Sequence, residues 1–173
     1  MAQRASASMS GDSDDNFGPV VRAYLGYLNN EQEVVDDRAS RREITAVYYR
    51  RNVGRIRALR QMAIRLVRLS ENDYVPELEA VTQDELRTLF ENPPRVTTFR
   101  ANEIVGNKFR FLASIHSGEV FYLFARLDPY EQAEFMERQG KNPVPLSAGT
   151  GQGVASGQPV GQNTSRPRRT SPK

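Results

Sequence analysis

The chain has 173 residues, 38% of them apolar, with a formal net charge of +3, which leaves room for one domain or two small ones and excludes a histone-like polycation. There is no cysteine, so disulfides, thiolate metal sites and cysteine nucleophiles are ruled out and a reducing compartment is suited. No apolar run approaches the roughly 20 residues that span a bilayer, and the opening MAQRASASMSGDSDD lacks the apolar middle of a signal peptide; a soluble, intracellular protein with no membrane association is expected.

Residues 1–16 are small and polar and are expected to be disordered. Val20, Val21, Tyr24, Leu25 and Leu28 recur at helical spacing, predicting a first helix from Pro19 to about Asn30. An acidic link with Glu31, Glu33, Asp36 and Asp37 follows. Then comes a long amphipathic segment, 41–69, with nine arginines, no lysine and one acid, Glu43. Ser40-Arg41-Arg42-Glu43 has the pattern of a capping box, in which Ser40 and Glu43 satisfy orphan backbone donors. At about 100° per residue, Ile44, Tyr48, Ile56, Leu59, Met62, Leu66 and Leu69 share one broad side. Arg50, Arg57, Arg65 and Arg68 gather opposite, and Arg51 and Arg55 lie at the border. Gly54 sits mid-helix at a cost of about 1 kcal/mol against alanine, which fits close approach of a neighbour.

Thr82-Gln83-Asp84-Glu85 is a second capping-box pattern and predicts a short helix through Phe90. Asn92-Pro93-Pro94 breaks the chain and predicts a domain boundary. The period then changes. Val96 to Arg100 reads as a strand, and Phe109, Phe111, Ala113 and Ile115 alternate with Arg110, Leu112 and Ser114. His116-Ser117-Gly118 supplies a turn, and Val120, Tyr122 and Phe124 return, which makes a hairpin. Asp128-Pro129 starts a last helix, Tyr130 to Gln139, with Gly140 where a left-handed C-terminal residue belongs. From Asn142 the chain is Gly, Ser, Pro, Gln and Thr with a basic end, a flexible tail.

The expected fold class is α+β. A disordered tail (1–16) precedes a mostly helical domain (17–92), a small β-rich domain with one short helix (93–141) and a disordered basic tail (142–173). Domains this small bury a modest share of their surface alone, so partners are expected to cover part of each.

Enzyme constellations are missing. The single histidine, His116, falls at the hairpin turn. GTGQG at 149–153 lies in the tail, with neither strand nor helix to make a phosphate cradle. Glu77, Glu79, Asp84 and Glu85 read as a solvated or arginine-facing surface rather than a general acid/base pair. No metal-ligand spacing occurs. A non-enzyme with no cofactor and no metal is expected. Arginine outnumbers lysine 21 to 3, and guanidinium favours planar, bidentate contacts with carboxylate or phosphate; a G- and C-rich genome produces the same bias. The arginine face therefore serves ion pairing and partner contact, or it contacts nucleic acid phosphates. Asn163-Thr164-Ser165 fits a glycosylation acceptor only by chance in the absence of a secretion signal, and Ser171-Pro172 has the form of a proline-directed phosphorylation site at Ser171.

Tyr48 to Arg60, YYRRNVGRIRALR, resembles the long helix of a subunit of the GINS complex, most like its first "partner of Sld Five" subunit (Psf-one type). The helix around Val20 to Asn30, the Pro76 turn before Thr82–Glu85, and the order of a helical part before a β-rich part are similar too. The resemblance implies a scaffold subunit of a heterotetramer in the nucleus. It would pack on sister GINS subunits and help dock Cdc-forty-five and the MCM hexamer in the eukaryotic replicative helicase, with DNA contact as a further expectation. The residues expected at partner interfaces are Tyr48, Arg50, Arg51, Arg55, Arg57, Arg60, Val120 and Tyr122.

Overall fold

The computed structural model describes residues 14–141, and within them the chain is α+β, as its patterning predicts. Two long helices lead, a four-stranded antiparallel sheet follows, and a short helix closes the described part. Asp14–Asn16, expected to lack structure, form a 3-10 turn. GTGQG at 149–153, the Asn163 acceptor, Ser171 and both expected tails apart from residues 14–16 lie outside the described residues.

Helix α1 runs Pro19–Ser40 and so absorbs the stretch expected to be an acidic link. Nothing in residues 31–37 breaks a helix, and the acids find local partners: Gln32 Nε2 donates to Asp36 Oδ1 at 2.8 Å, and Arg41 pairs with Asp37 at 2.7 Å. The start of α1 is capped from a distance. Asp73 accepts from the N–H groups of Val20 and Val21, both at 2.9 Å, which satisfies two of the orphan donors every helix leaves at its N-terminus.

Helix α2 runs Ala46–Ser70. It starts later than the Ser40–Glu43 pattern predicts, because Ser40 belongs to the last turn of α1, where its hydroxyl donates to Asp37 O. Arg42 takes a left-handed φ of 58° and turns the chain, and Thr45 becomes the cap, accepting from Tyr48 N at 3.2 Å. The two helices form a hairpin. Tyr49 Oη ties its tip together by donating to Asp36 Oδ1 at 2.9 Å, and that bond raises the phenol above its ordinary pKa.

The buried line of α2 also differs from the expected stripe. Val53, Gly54, Ala58, Met62 and Ala63 are buried, whereas Tyr48 and Leu69 are 49% and 75% exposed. Small residues win these positions because the helix lies almost against the backbone of the sheet. A Cβ on Gly54 would stand 2.3 Å from Ser117 O.

The strands are β1, Leu78–Val81; β2, Ile104–Val105; β3, Phe109–Ser117; and β4, Glu119–Arg126, in the order β1-β4-β3-β2. Strand β1 comes from the half expected to be helical and pairs with β4 (Ala80 opposite Leu123). The expected boundary at Asn92-Pro93-Pro94 is therefore no boundary between two bodies: the sheet takes strands from both sides of it, and α1 and α2 pack on that sheet. The Thr82–Glu85 capping box forms, leading through a 3-10 turn into α3, Leu86–Leu89. Val96–Thr98, expected as a strand, is a 3-10 turn.

Both faces of the sheet are used, and a β-bulge between Phe111 and Ala113 makes that possible. One extra residue moves the side chains beyond it to the other face. Phe109 and Phe111 join Val81, Phe124, Leu86 and Phe90 in an aromatic core on one face. Beyond the bulge Ile115 joins Phe121, Leu123 and Ala80 against Val21, Leu25, Ala58 and Met62 of the helices. The proline break returns Phe99 onto the aromatic face, stacked on Phe111 at 5.0 Å. His116 and Ser117 extend β3, which leaves Gly118, at φ 79°, as the turn. Finally α4, Pro129–Lys141, is capped reciprocally: Glu131 N donates to Asp128 Oδ1 and Asp128 N to Glu131 Oε2. It continues through Gly140, which is helical instead of left-handed.

Candidate interaction surface

The arginines of α2 divide by the face they occupy. Arg51, Arg55, Ala58 and Met62 follow one another at four, three and four residues, a single line along the helix. The line is apolar where the sheet covers it and cationic where the sheet ends. There the Thr82–Glu85 turn and the β3–β4 turn present carboxylates. Arg51 Nε and Nη2 donate to the two oxygens of Glu119 at 2.9 and 3.2 Å, and its Nη1 donates to Asp84 Oδ2 at 3.0 Å. Arg55 Nε donates to Ala80 O at 3.0 Å, and its Nη2 reaches both oxygens of Glu85 at 2.6 and 2.7 Å.

Both acids of the turn are held ionised. The Thr82 hydroxyl, then Arg51, keep Asp84 below its ordinary pKa against partial burial. Burial pushes Glu85 up, but the Thr82 N–H and Arg55 together outweigh it and hold it low. Arg51 is shifted in the opposite sense, upward, by Glu119 and Asp84. These are bidentate, partly desolvated contacts, the kind that tie elements together. Arg51 and Arg55 accordingly join α2 to its own sheet, and their guanidinium groups are taken up within the chain. Arg60 likewise pairs with Asp14 of the leading 3-10 turn. Of the acids read as solvated or arginine-facing, Asp84 and Glu85 take arginines of α2, and Glu77 and Glu79 pair with Arg126.

The rest of α2 faces outward. Arg50, Arg57, Arg65 and Arg68 are exposed. Among the described residues Arg57, Arg60, Gln61, Ile64, Arg65, Arg68 and Leu69 line an open groove of ≈ 650 Å³ along the helix. Tyr48 is 49% exposed beside Val47 at the hairpin tip, and Val120 is 42% exposed on β4. Tyr122 is half-buried against Phe99, 5.9 Å between ring centres. Of the residues expected at partner interfaces, Tyr48, Arg50, Arg57 and Val120 are thus accessible, Arg60 and Tyr122 are partly so, and Arg51 and Arg55 are committed to internal contacts.

One feature escaped the sequence reading. On α1, Val20, Tyr27 and Val34 stand seven residues apart and are 50%, 55% and 53% exposed, while Val21, Leu25 and Leu28 on the other side are buried. The seven-residue recurrence is visible in the chain, but Val34 falls in the segment read as a link. Single exposed apolar side chains are ordinary; a row at seven-residue spacing lines up along one side of the helix and supplies one of the two apolar positions per heptad that helix pairing uses.

His116 is exposed on β3. Among the described residues no group of three or more His, Asp or Glu side chains could hold a metal ion, and no helix is long and apolar enough to cross a membrane. Compared with known proteins, the chain matches no protein-family model, no curated protein and no solved structure.

Proposed function

We propose that this protein is a non-enzymatic scaffold subunit whose helical hairpin binds the helices of other polypeptides. The observation that carries the reading is the uncovered row Val20, Tyr27 and Val34 on α1, with Val47 and Tyr48 exposed as well at the start of α2. Burying those five side chains stabilises a complex through apolar area removed from water, and helix-to-helix packing at heptad spacing gives that contact a register. The particular assembly is the one the residues 48–60 resemble: a GINS-like heterotetramer of the nucleus that supports the MCM and Cdc-forty-five replicative helicase in replication initiation and fork progression. That identification rests on the residue resemblance alone.

Co-expression with three GINS-type sister subunits is the direct test, and a stoichiometric complex is the expected result. The triple substitution Val20→Ser, Tyr27→Ser and Val34→Ser should abolish it while leaving the chain cooperatively folded, since surface positions contribute within about ±0.5 kcal/mol each. A chain that never joins the other three, or a complex indifferent to the triple substitution, refutes the proposal.

A second reading is favoured by the exposed Arg50, Arg57, Arg65 and Arg68 on one long helix: an arginine-rich protein that binds or packages nucleic acid. It predicts submicromolar DNA or RNA affinity that falls steeply with salt and is lost when those four become glutamine. Affinity insensitive to salt would dismiss it.

A further inference from the structure

Strand β3 is nine residues long, yet only its first part has a neighbour on each side. Strand β2 pairs with Phe109 and Arg110, and the chain before it continues alongside as far as Phe111. There Phe111 N donates to Glu103 O at 2.9 Å, and Phe111 O accepts from Asn102 N at 2.8 Å. Past that point residues 112–117 form an outer edge of the sheet, and among the described residues no main chain bonds to it. The ladder decides which groups look outward. Arg126 N donates to Glu77 O at 2.8 Å, and main-chain groups alternate sides along a strand. Phe124 and Tyr122 therefore bond toward β1, and Leu123 and Phe121 toward β3. Ile115 stands opposite Phe121 and directs its main-chain groups to β4. Those of Ser114 and His116 point away from the sheet, and both residues are exposed.

The opposite edge of the sheet is blunted. On β1 the same alternation turns Leu78 and Ala80 outward, and Arg55 Nε already donates to Ala80 O at 3.0 Å. The edge of β3 has no such cover. Residues 112–117, Leu-Ala-Ser-Ile-His-Ser, include none of the lysines, acids or prolines that keep sheet edges apart. The bulge falls at Leu112, where this edge begins, and leaves residues 113–117 in regular register with β4.

We infer that β3 of one copy of this chain pairs antiparallel with β3 of a second copy, joining two sheets edge to edge. The alternating donors and acceptors of an open edge are matched by an extended main chain, and a second copy presents the same row already extended. Parity and length fix the register. Centring the pair on Ile115 sets Ser114 of each copy opposite His116 of the other, so the outward groups of both residues bond. The paired window is then 113–117. It fits between Phe111, whose edge Asn102 and Glu103 occupy, and the turn at Gly118. The two-fold axis stands normal to the sheet, so the contact is the same patch on both copies and closes as a dimer. No like charges face each other in that window. A window this short buries less than a standard interface, which makes the dimer a weak one. The edge is separate from the α1 row, and the pairing stands whether or not that row binds other subunits.

The test places charges at the two paired positions of the purified full chain and reads association by sedimentation velocity between about 1 and 200 μM. Thermal melting followed by circular dichroism shows that each variant is folded. The natural chain should associate as concentration rises. Ser114→Lys with His116→Lys sets lysine opposite lysine in both pairs and should weaken association roughly tenfold or more. Ser114→Glu with His116→Lys sets glutamate opposite lysine in both pairs. That variant should associate roughly tenfold more tightly than the double-lysine one, and the difference should shrink as salt is added. A natural chain that stays monomeric throughout the range overturns the inference. So does association that the double-lysine variant retains in full, which would place the contact on another surface. A glutamate–lysine variant no tighter than the double-lysine one would overturn it too, because the register would then be wrong.

Discussion

Replacing Gly54 by alanine should destabilise this protein, although the same change in a free helix stabilises. Alanine in place of glycine at a helix interior gains about 1 kcal/mol from backbone entropy. Here the new methyl group would meet Ser117 O at 2.3 Å and Phe121 Cε2 at 3.0 Å. The first contact is about 1 Å inside the shortest ordinary carbon–oxygen approach of ~3.3 Å. Ser117 O is backbone in a strand that turns at once through Gly118, so the hairpin cannot yield there alone; α2 must lift from the sheet. Overpacking costs about 1–3 kcal/mol; a clash this close with backbone belongs in the upper part of that range, about 2–3 kcal/mol, so after the entropic gain of about 1 kcal/mol the expected net loss is roughly 1–2 kcal/mol. In a unit of this size that lowers the melting temperature by about 3–10 °C, measured by circular dichroism at 222 nm. Gly26 on α1 is the internal control, since a Cβ there meets nothing within 4 Å; Gly26→Ala should raise stability by up to about 1 kcal/mol. If Gly54→Ala proves as stable as Gly26→Ala, α2 does not lie against Ser117 and the packing described is wrong.

Asp73→Ala removes the carboxylate that accepts from both Val20 N and Val21 N, and should cost about 1–2 kcal/mol in urea unfolding with an unchanged m-value; no loss would mean α1 is capped by other means. Phe124→Ala takes away the ring at the middle of the aromatic core, about 5.4 Å from each of Phe90, Phe99 and Phe111. It should cost about 3–5 kcal/mol, whereas Val120→Ala on the same strand should change stability by less than about 0.5 kcal/mol. The carboxyls of Asp84 and Glu85 both lie below their ordinary values of 3.8 and 4.5 in the folded state. Their stabilising contribution is therefore complete above about pH 4.5 and is lost as the pH falls through the depressed values. Glu85→Gln should accordingly be less stable than the natural chain at pH 7, and the difference should close below pH 4; a difference that persists to pH 2 would contradict the role assigned to Arg55.

Several features could be read from the residues because they are written in short-range order. The existence of α1 and α2, the Thr82–Glu85 cap and the β3–β4 hairpin each depend on neighbours within a few residues, and each is present where the pattern puts it or nearby, although the buried line of α2 is not the expected one. The groups opposite Arg51 and Arg55 were not legible in this way. Glu119 and Glu85 lie far along the chain, and an arginine beside an apolar stripe looks the same whether it meets its own sheet or a stranger. Strand β1 was hidden too: Leu78–Val81 is four residues with no full alternation, and it is a strand because β4 offers it an edge. The alternation of Phe109, Phe111, Ala113 and Ile115 predicted one shared face, and the bulge at Leu112 divides it between two.

By itself the chain order determined that two helices lead, that β3 and β4 make a hairpin and that cationic charge would gather along one helix. Only the tertiary structure decided where that charge goes, pairing Arg51, Arg55 and Arg60 internally and leaving Arg57 and Arg65 exposed. The reason is physical: periodicity specifies the direction of a side chain about its own axis, whereas its partner is set by which distant surface packs within hydrogen-bonding reach.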